Sequence, residues 1–450
     1  MKIAIVGAGW AGMAAAVAAS RAGHSVTVLE AARTLGGRAR GLEVTQPDGG
    51  DTITLDNGQH IMIGAYSETL ALMESVGIDL RAALLALPLT LRFPDGSGLK
   101  LSRLPAPLDA FAGILAARGW SWRDKLSLLR ASVGWQAARF QCPEQRSVAD
   151  LCARLTDKVR AELIEPLCVA ALNTPIEHAS GQVFLRVIRD SLFGSGFGDF
   201  AGSNLLLPRA DLSALFPDAA ARWLRVQGAV VETGHRVAEL ARRDAAWSVD
   251  GVAFDAVIVA TAPWDAARLV EGTVDCAHRP DSPADAANEP STVPSTDRQK
   301  TCKWLRRAHA LRFESIATVY AMTDPPVPLQ EPMLSLKASQ TAPAQFVFDR
   351  HPLGGPPGLL AFVVSASEKE RGPLEAAVRA QAREQLGIAT LRILQTVVEK
   401  RATFACTPGL ERPGQRIAPG LIACGDYVEG PYPATIEGAV RSALAAVRML

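Results

Sequence analysis

The first thirty residues restrict the fold more than any other stretch of the chain. Lys2–Val6 is a short, continuously apolar run, the pattern of a strand covered on both faces. It passes directly into Gly7-Ala8-Gly9-Trp10-Ala11-Gly12, and the alanine-rich stretch Met13–Arg21 predicts a helix. Gly23 can stop that helix, and Ser25–Leu29 reads as a second strand ending at Glu30. The unit is therefore strand, G-x-G-x-x-G turn, helix, strand, acid. Gly7 permits the tight turn, Gly9 lets phosphate oxygens approach the backbone, and Gly12 lets helix and strand pack closely. The free amides at the helix start attract a pyrophosphate, and Glu30 is placed to accept bonds from ribose hydroxyls. The competing reading is a glycine- and alanine-rich helix start that only packs. The complete unit favours a dinucleotide bound to an α/β domain.

With 450 residues, the chain is too long for one core and fits two or three domains. Its 47 basic and 46 acidic side chains leave a formal charge of +1, without the footprint of a general nucleic-acid binder. Seven cysteines without a CxxC pair read as reduced thiols, neither a disulfide framework nor a metal site. No apolar run is long enough for a spanning helix. The amino-terminal stretch flows straight into the next strand pattern, so it reads as structure and not as a signal peptide. The expected location is cytoplasmic.

Three further segments refine the cofactor. Arg33-Thr34-Leu35-Gly36-Gly37-Arg38-Ala39-Arg40-Gly41 makes a glycine turn with three arginines, suited to a second phosphate, where a nicotinamide domain would enter its next helix. Asp56-Asn57-Gly58-Gln59-His60 follows the short strand Thr52–Leu55. Near the carboxyl end, Leu421–Asp426 is an apolar strand closing in Gly425-Asp426, and a helix pattern opens near Thr435 and Ile436. Amides at that helix start suit a developing negative charge.

GAGWAG, Glu30 and LGGRAR together resemble the flavin amine oxidase and carotenoid desaturase superfamily, which binds FAD. The resemblance implies that Gly36, Gly37 and Arg38 lie along the pyrophosphate and near the flavin ring. It implies that the segment with Gly58 and Gln59 passes beside the flavin, that Val237 meets the adenine edge, and that Asp426 meets the ribityl chain or pyrophosphate. Within the superfamily, LDNGQHIMIGAY (55–66), LLLPRADLSALFP (205–217) and ACGDYVEGPYPATIEGAV (423–440) are similar to the squalene-associated FAD-dependent desaturases, the hydroxysqualene dehydroxylases of hopanoid synthesis. The implied reaction reduces an allylic alcohol, hydroxysqualene, to squalene with loss of water, using FAD and an external reductant. Phytoene-type desaturation, amine oxidation and a non-enzymatic FAD-binding role are the alternatives. His60 and Tyr432 flank cofactor motifs and are the candidate catalytic groups, although a lone histidine such as His60 is more often a structural hydrogen-bonder than a catalyst.

The implied fold is α/β: a three-layer, Rossmann-like FAD domain and a discontinuous α+β substrate domain. The FAD domain is expected from 1–90, 205–275 and 400–450, and the substrate domain from the mainly helical 91–204 and from 276–399. LTLRFPDGSGLKL reads as a hairpin, Leu163–Thr174 as a buried helix carrying an inert Cys168, and Phe184–Phe200 as a packing loop or gate. Arg279–Lys300 is rich in Pro, Ser, Thr, Asp and Ala, which predicts a flexible insertion near 281–297. Leu108–Arg139 mixes Phe111, Ile114, Leu115, Trp120, Trp122, Leu126, Leu128, Leu129 and Trp135 with basic residues. It is either core or a peripheral contact with the inner membrane. A long-chain isoprenoid would come from a membrane or from the preceding squalene-pathway enzyme.

Overall fold

The computed structural model describes residues 1–45, 52–243, 246–274, 276, 295–366 and 370–450. A six-stranded sheet forms one layer, in the order Val230–Thr233, Ser25–Glu30, Lys2–Val6, Ala256–Val259, Leu421–Ala423, Arg416–Ala418. All neighbours are parallel except the last pair. Lys2–Val6 and Ala256–Val259 are almost wholly buried, which explains their unbroken apolar sequence. Three distant chain segments thus meet in one sheet.

Helix Trp10–Arg21 leaves the first strand through the glycine turn and packs against Ile436–Val447 from the other end of the chain. Nine of its twelve residues are buried, so small side chains are needed all round. At Gly12 a Cβ would stand 1.8 Å from the Gly7 carbonyl oxygen. Glycine there is a condition for the turn and the helix to coexist. The carboxyl-terminal helix is tied down by Glu437, fully buried, which accepts from the amides of Glu68 and Thr69 and from the Thr69 hydroxyl. It thereby caps Ser67–Ser75 from across the structure.

A five-stranded antiparallel sheet forms the second layer, in the order Met333–Ser335, Phe346–Asp349, Leu359–Ser365, Phe313–Thr323, Leu391–Phe404. Helix Arg371–Leu386 buries Leu374, Val378 and Ala382 in an apolar cluster with this sheet. The final strand continues to Phe404, so the domain boundary expected at 400 falls inside it. Helices between Leu108 and Phe193 form a further, mainly helical region, and four small sheets of two or three strands complete the described residues.

Several expectations need correction. Cys276 and Cys302 form a disulfide, while the other five cysteines are free. The scatter of thiols along the sequence concealed a pair brought together by the packing of helices Pro263–Glu271 and Ser295–His309. Of the insertion expected at 281–297, residues 281–294 lie outside the described residues, and 295–297 open that second helix. Its buried residues, Thr301, Trp304, Leu305 and Ala308, lie beyond the polar window, and packing them extends the helix back into it. Phe184–Phe193, read as loop, belongs to helix Gly181–Phe193, with Phe184, Leu185 and Ile188 inward. The glycines that prompted the loop reading begin only at Gly194. Leu163–Thr174 is a π-turn, Arg160–Ile164, running into helix Glu165–Leu172. Cys168 is buried there and burial pushes its thiol pKa up, so it is inert as expected.

Candidate active site

A cavity of about 580 Å³ lies between the two layers. Its floor is the first glycine turn: Gly7 has φ +105°, and an added Cβ there would sit 2.9 Å from the Ala260 carbonyl oxygen. The second glycine turn crosses it, with the Gly36 amide donating to the Ala8 carbonyl at 3.0 Å. At Gly37, an added Cβ would come 3.2 Å from Gly9 Cα. Bare backbone from two turns therefore faces one space, and a side chain at Gly7 or Gly37 would crowd the opposing backbone.

At one end of the cavity, Glu30 is held rigidly. Its carboxylate accepts from the amides of Ala8 at 2.6 Å and Ala32 at 2.8 Å. Val237 and His235 line the same cavity, and His235 lies between Glu232 and Asp250 at 3.0 and 3.1 Å. Those carboxylates, Asp250 foremost, raise the imidazole pKa.

Arg38 and Asp426 meet directly. Arg38 Nη2 donates to Asp426 Oδ1 at 2.5 Å, and Nη1 donates to the Ala402 carbonyl at 2.6 Å. Gly425, Thr435 and Ile436 complete that wall. Thr435 caps helix Ile436–Val447 by accepting from the Gly438 amide at 3.0 Å, while the other first-turn amides have no intrahelical partner.

Gly58, Gln59 and His60 form the edge facing the antiparallel sheet. Gly58 needs its φ of +127°, and His60 Nδ1 lies 2.8 Å from the Gly58 carbonyl. A carbonyl can only accept, so Nδ1 carries the proton and Nε2 the lone pair. Burial lowers the His60 pKa, so the neutral ring is favoured. Arg350 donates to Gln59 Oε1 at 3.0 Å and stands 3.9 Å from the buried Asp56 carboxylate. Burial, only partly offset by Arg350 and the Leu212 amide, pushes the Asp56 carboxyl up to about 6. Leu172, Ile316, Phe346, Phe348 and Val363 make the opposite wall apolar.

Gly7, Gly9, Glu30, Gly36, Gly37, Arg38, Gly58, Gln59, His60, Val237, Gly425, Asp426, Thr435 and Ile436 therefore share one cavity. Gly12 lies behind it in a packing role. Tyr432 is not among the lining residues. Its hydroxyl donates to Asp190 at 2.7 Å, and its backbone, like that of Ala434, is left-handed. The phenol that lines the cavity is Tyr66, whose ring meets Tyr432 edge-on at 6.4 Å. Burial raises its pKa, keeping the phenol protonated. The sequence pattern includes Tyr66 in the 55–66 motif but gives it no role. It gave no signal for the wall Val169–Asn173.

The cavity has the parts a dinucleotide flavin requires: two bare glycine turns, a fixed acid for a ribose, and a helix start. The family model of flavin containing amine oxidoreductases matches residues 10–450. The chain belongs to that family. This amine-oxidoreductase family member is an FAD-dependent oxidoreductase. It is 27% identical to the hydroxysqualene dehydroxylase of Sinorhizobium fredii, with 98% of this chain and 96% of that one covered. Identity to the hydroxysqualene dehydroxylase of Rhodopseudomonas palustris is also 27%, covering 97% and 95%. A 15-cis-phytoene desaturase of Arabidopsis thaliana is 33% identical over only 30% of this chain and 25% of its own. Among solved structures, an oxidoreductase from Methanosarcina mazei shares the fold, with a TM-score of 0.70 at 17% identity and full coverage of both chains.

Proposed function

We propose that this oxidoreductase converts hydroxysqualene to squalene, releasing water. The observation that carries the reading is the apolar wall, Leu172, Ile316, Phe346, Phe348 and Val363, facing the edge that holds His60. Similarity along nearly the whole chain to relatives named hydroxysqualene dehydroxylase supports it. The carboxylates nearest that region are engaged, Asp426 by Arg38 and Glu399 by Asn57 at 3.4 Å, which favours a hydrocarbon over an ammonium substrate.

Gly7, Gly9, Gly36, Gly37 and Arg38 would hold the pyrophosphate of FAD. Glu30 and Val237 would hold the adenosine, and Gly58, Gln59, Gly425, Asp426, Thr435 and Ile436 the flavin and ribityl. Bound and reduced, the cofactor supplies hydride. The balance is R–OH plus hydride plus a proton to R–H plus water. Neutral His60 has no proton to give at Nε2, so it accepts a hydrogen bond and orients the alcohol. Tyr66, kept protonated by burial, donates its O–H toward the departing oxygen. The apolar wall aligns the long chain and excludes water. An external reductant and a pathway enzyme delivering the alcohol, in hopanoid precursor synthesis, complete the reading.

Anaerobic incubation of the dithionite-reduced holoenzyme with hydroxysqualene, followed by extraction, should yield squalene. No squalene, with turnover of phytoene or an amine instead, would refute the proposal.

A further inference from the structure

Among the described residues, half of the exposed large apolar side chains lie between Leu104 and Val133. Leu108, Phe111 and Leu115 recur along helix Leu108–Ala116, and Trp122, Leu126 and Val133 along helix Trp122–Ala137. Trp122 is 69% exposed. Lys125 Nζ donates to the Leu115 carbonyl at 2.6 Å and lies 5.4 Å from the centre of the Trp122 ring, so the two faces adjoin.

The buried side of this helix pair fixes its orientation. Ser121 and Asp124 form a capping box, and Asp124 Oδ1 also accepts from the Thr156 hydroxyl at 2.7 Å. Leu128 and Trp135 continue that inward face, and Trp120 Nε1 donates to Glu162 at 2.8 Å. Trp122, Leu126 and Val133 must then point away from the protein. Of the residues grouped from sequence as a membrane candidate, Ile114, Trp120, Leu128 and Trp135 are core, and Phe111, Leu115, Trp122 and Leu126 are surface.

Charge identifies the occupant. Every exposed charged side chain from 103 to 139 is an arginine, and the two acids of the segment, Asp109 and Asp124, are buried. A face that combines aliphatic and aromatic tips with exposed arginines along its own segment matches an anionic bilayer, where apolar tips enter the acyl boundary and guanidinium groups meet headgroups; the exposed acids nearby, Asp157 and Asp95, are paired with Arg160 and Lys337. A second copy of the chain would bring like charges together.

We propose that this face docks on anionic lipid. It bears on substrate supply because Asp124 of helix Trp122–Ala137 is bonded to Thr156 and Trp120, just before that helix, to Glu162, beyond which the chain runs into the cavity-lining residues Val169–Leu172. That supply role rests on the isoprenoid reading, whereas lipid binding does not.

The test is co-sedimentation of the FAD-loaded protein with phosphatidylglycerol vesicles and with phosphatidylcholine vesicles. Wild-type protein should pellet with the first and at least about tenfold less with the second. Phe111→Ser/Trp122→Ser and Arg123→Glu/Arg130→Glu should each lose roughly tenfold in affinity for phosphatidylglycerol. Val226→Ser, at an exposed position on another helix, should match wild type. Flavin spectrum and melting temperature serve as folding controls; if the apolar double variant fails them, the arginine variant carries the test. Wild-type protein that stays in the supernatant overturns the proposal, as does patch-independent pelleting. So does a wild-type dimer in the ultracentrifuge that Phe111→Ser/Trp122→Ser makes monomeric. Turnover of detergent-dispersed hydroxysqualene is measured separately. Its absence with lipid binding intact refutes the substrate reading and leaves this one standing.

Discussion

The Arg38–Asp426 pair offers the sharpest test of how the two ends of the chain build one cavity. Replacing Arg38 with Met removes a 2.5 Å bond to Asp426 and a 2.6 Å bond to Ala402. A hydrogen bond to a charged group contributes about 1.5–3 kcal/mol, and stranding a buried charge costs about 3–5 kcal/mol. The Asp426 side chain is 10% exposed and would be left without its partner in a cavity that must receive phosphates. Arg38→Met should therefore weaken FAD binding by about 3 kcal/mol, on the order of a hundredfold in Kd. Adding Asp426→Asn removes the stranded charge and should recover about tenfold. The assay is a double-mutant cycle of FAD affinity, read by flavin fluorescence on the apoprotein. If Asp426→Asn weakens binding equally in wild type and in Arg38→Met, the residues act independently and the reasoning fails.

Gly12→Ala, with its Cβ 1.8 Å from the Gly7 carbonyl, should separate helix from turn and give protein with little flavin absorbance; normal FAD loading would contradict the packing role. His235 should contribute stability that is complete below the ordinary histidine pKa of about 6.5 and lost as pH rises through its raised folded value. His235→Gln should remove that slope from a plot of melting temperature against pH. FAD should be released intact by acid precipitation, since among the described residues no cysteine lines the cavity; flavin retained on the denatured chain would contradict this. Replacing 281–294 with a short Gly-Ser linker should preserve folding and FAD, because Val293 is the only bulky apolar residue there and closure cost changes slowly with length. Extending the deletion through Asp297 should lower the melting temperature by removing the first turn of helix Ser295–His309.

Signals contained within a few residues were legible. The glycine turns, Glu30 and the Gly425-Asp426 strand end needed no knowledge of distant partners, and the structure collects them in one cavity. Side-chain direction was less accessible. Trp120 and Trp122 flank the Ser121 helix cap, one bonded to Glu162 and the other in solvent, and the bond from Thr156 to Asp124 that helps orient the helix spans 32 residues. The exchange of Tyr432 for Tyr66 at the cavity has a similar cause: the left-handed backbone at Tyr432 and its bond to Asp190 turn on contacts 242 residues apart. The Arg38–Asp426 pair crosses 388 residues, beyond any reading of local spacing.

The Cys276–Cys302 bond makes a covalent ring within the chain. A single protease cut between those residues would leave one molecule on a non-reducing gel and two pieces after reduction. Even the reduced pieces would share a sheet, because Ala256–Val259 lies upstream of the cut and its neighbour Leu421–Ala423 downstream. The ring is thus a natural place to divide the gene in two, with each product carrying strands that find their counterparts in the other.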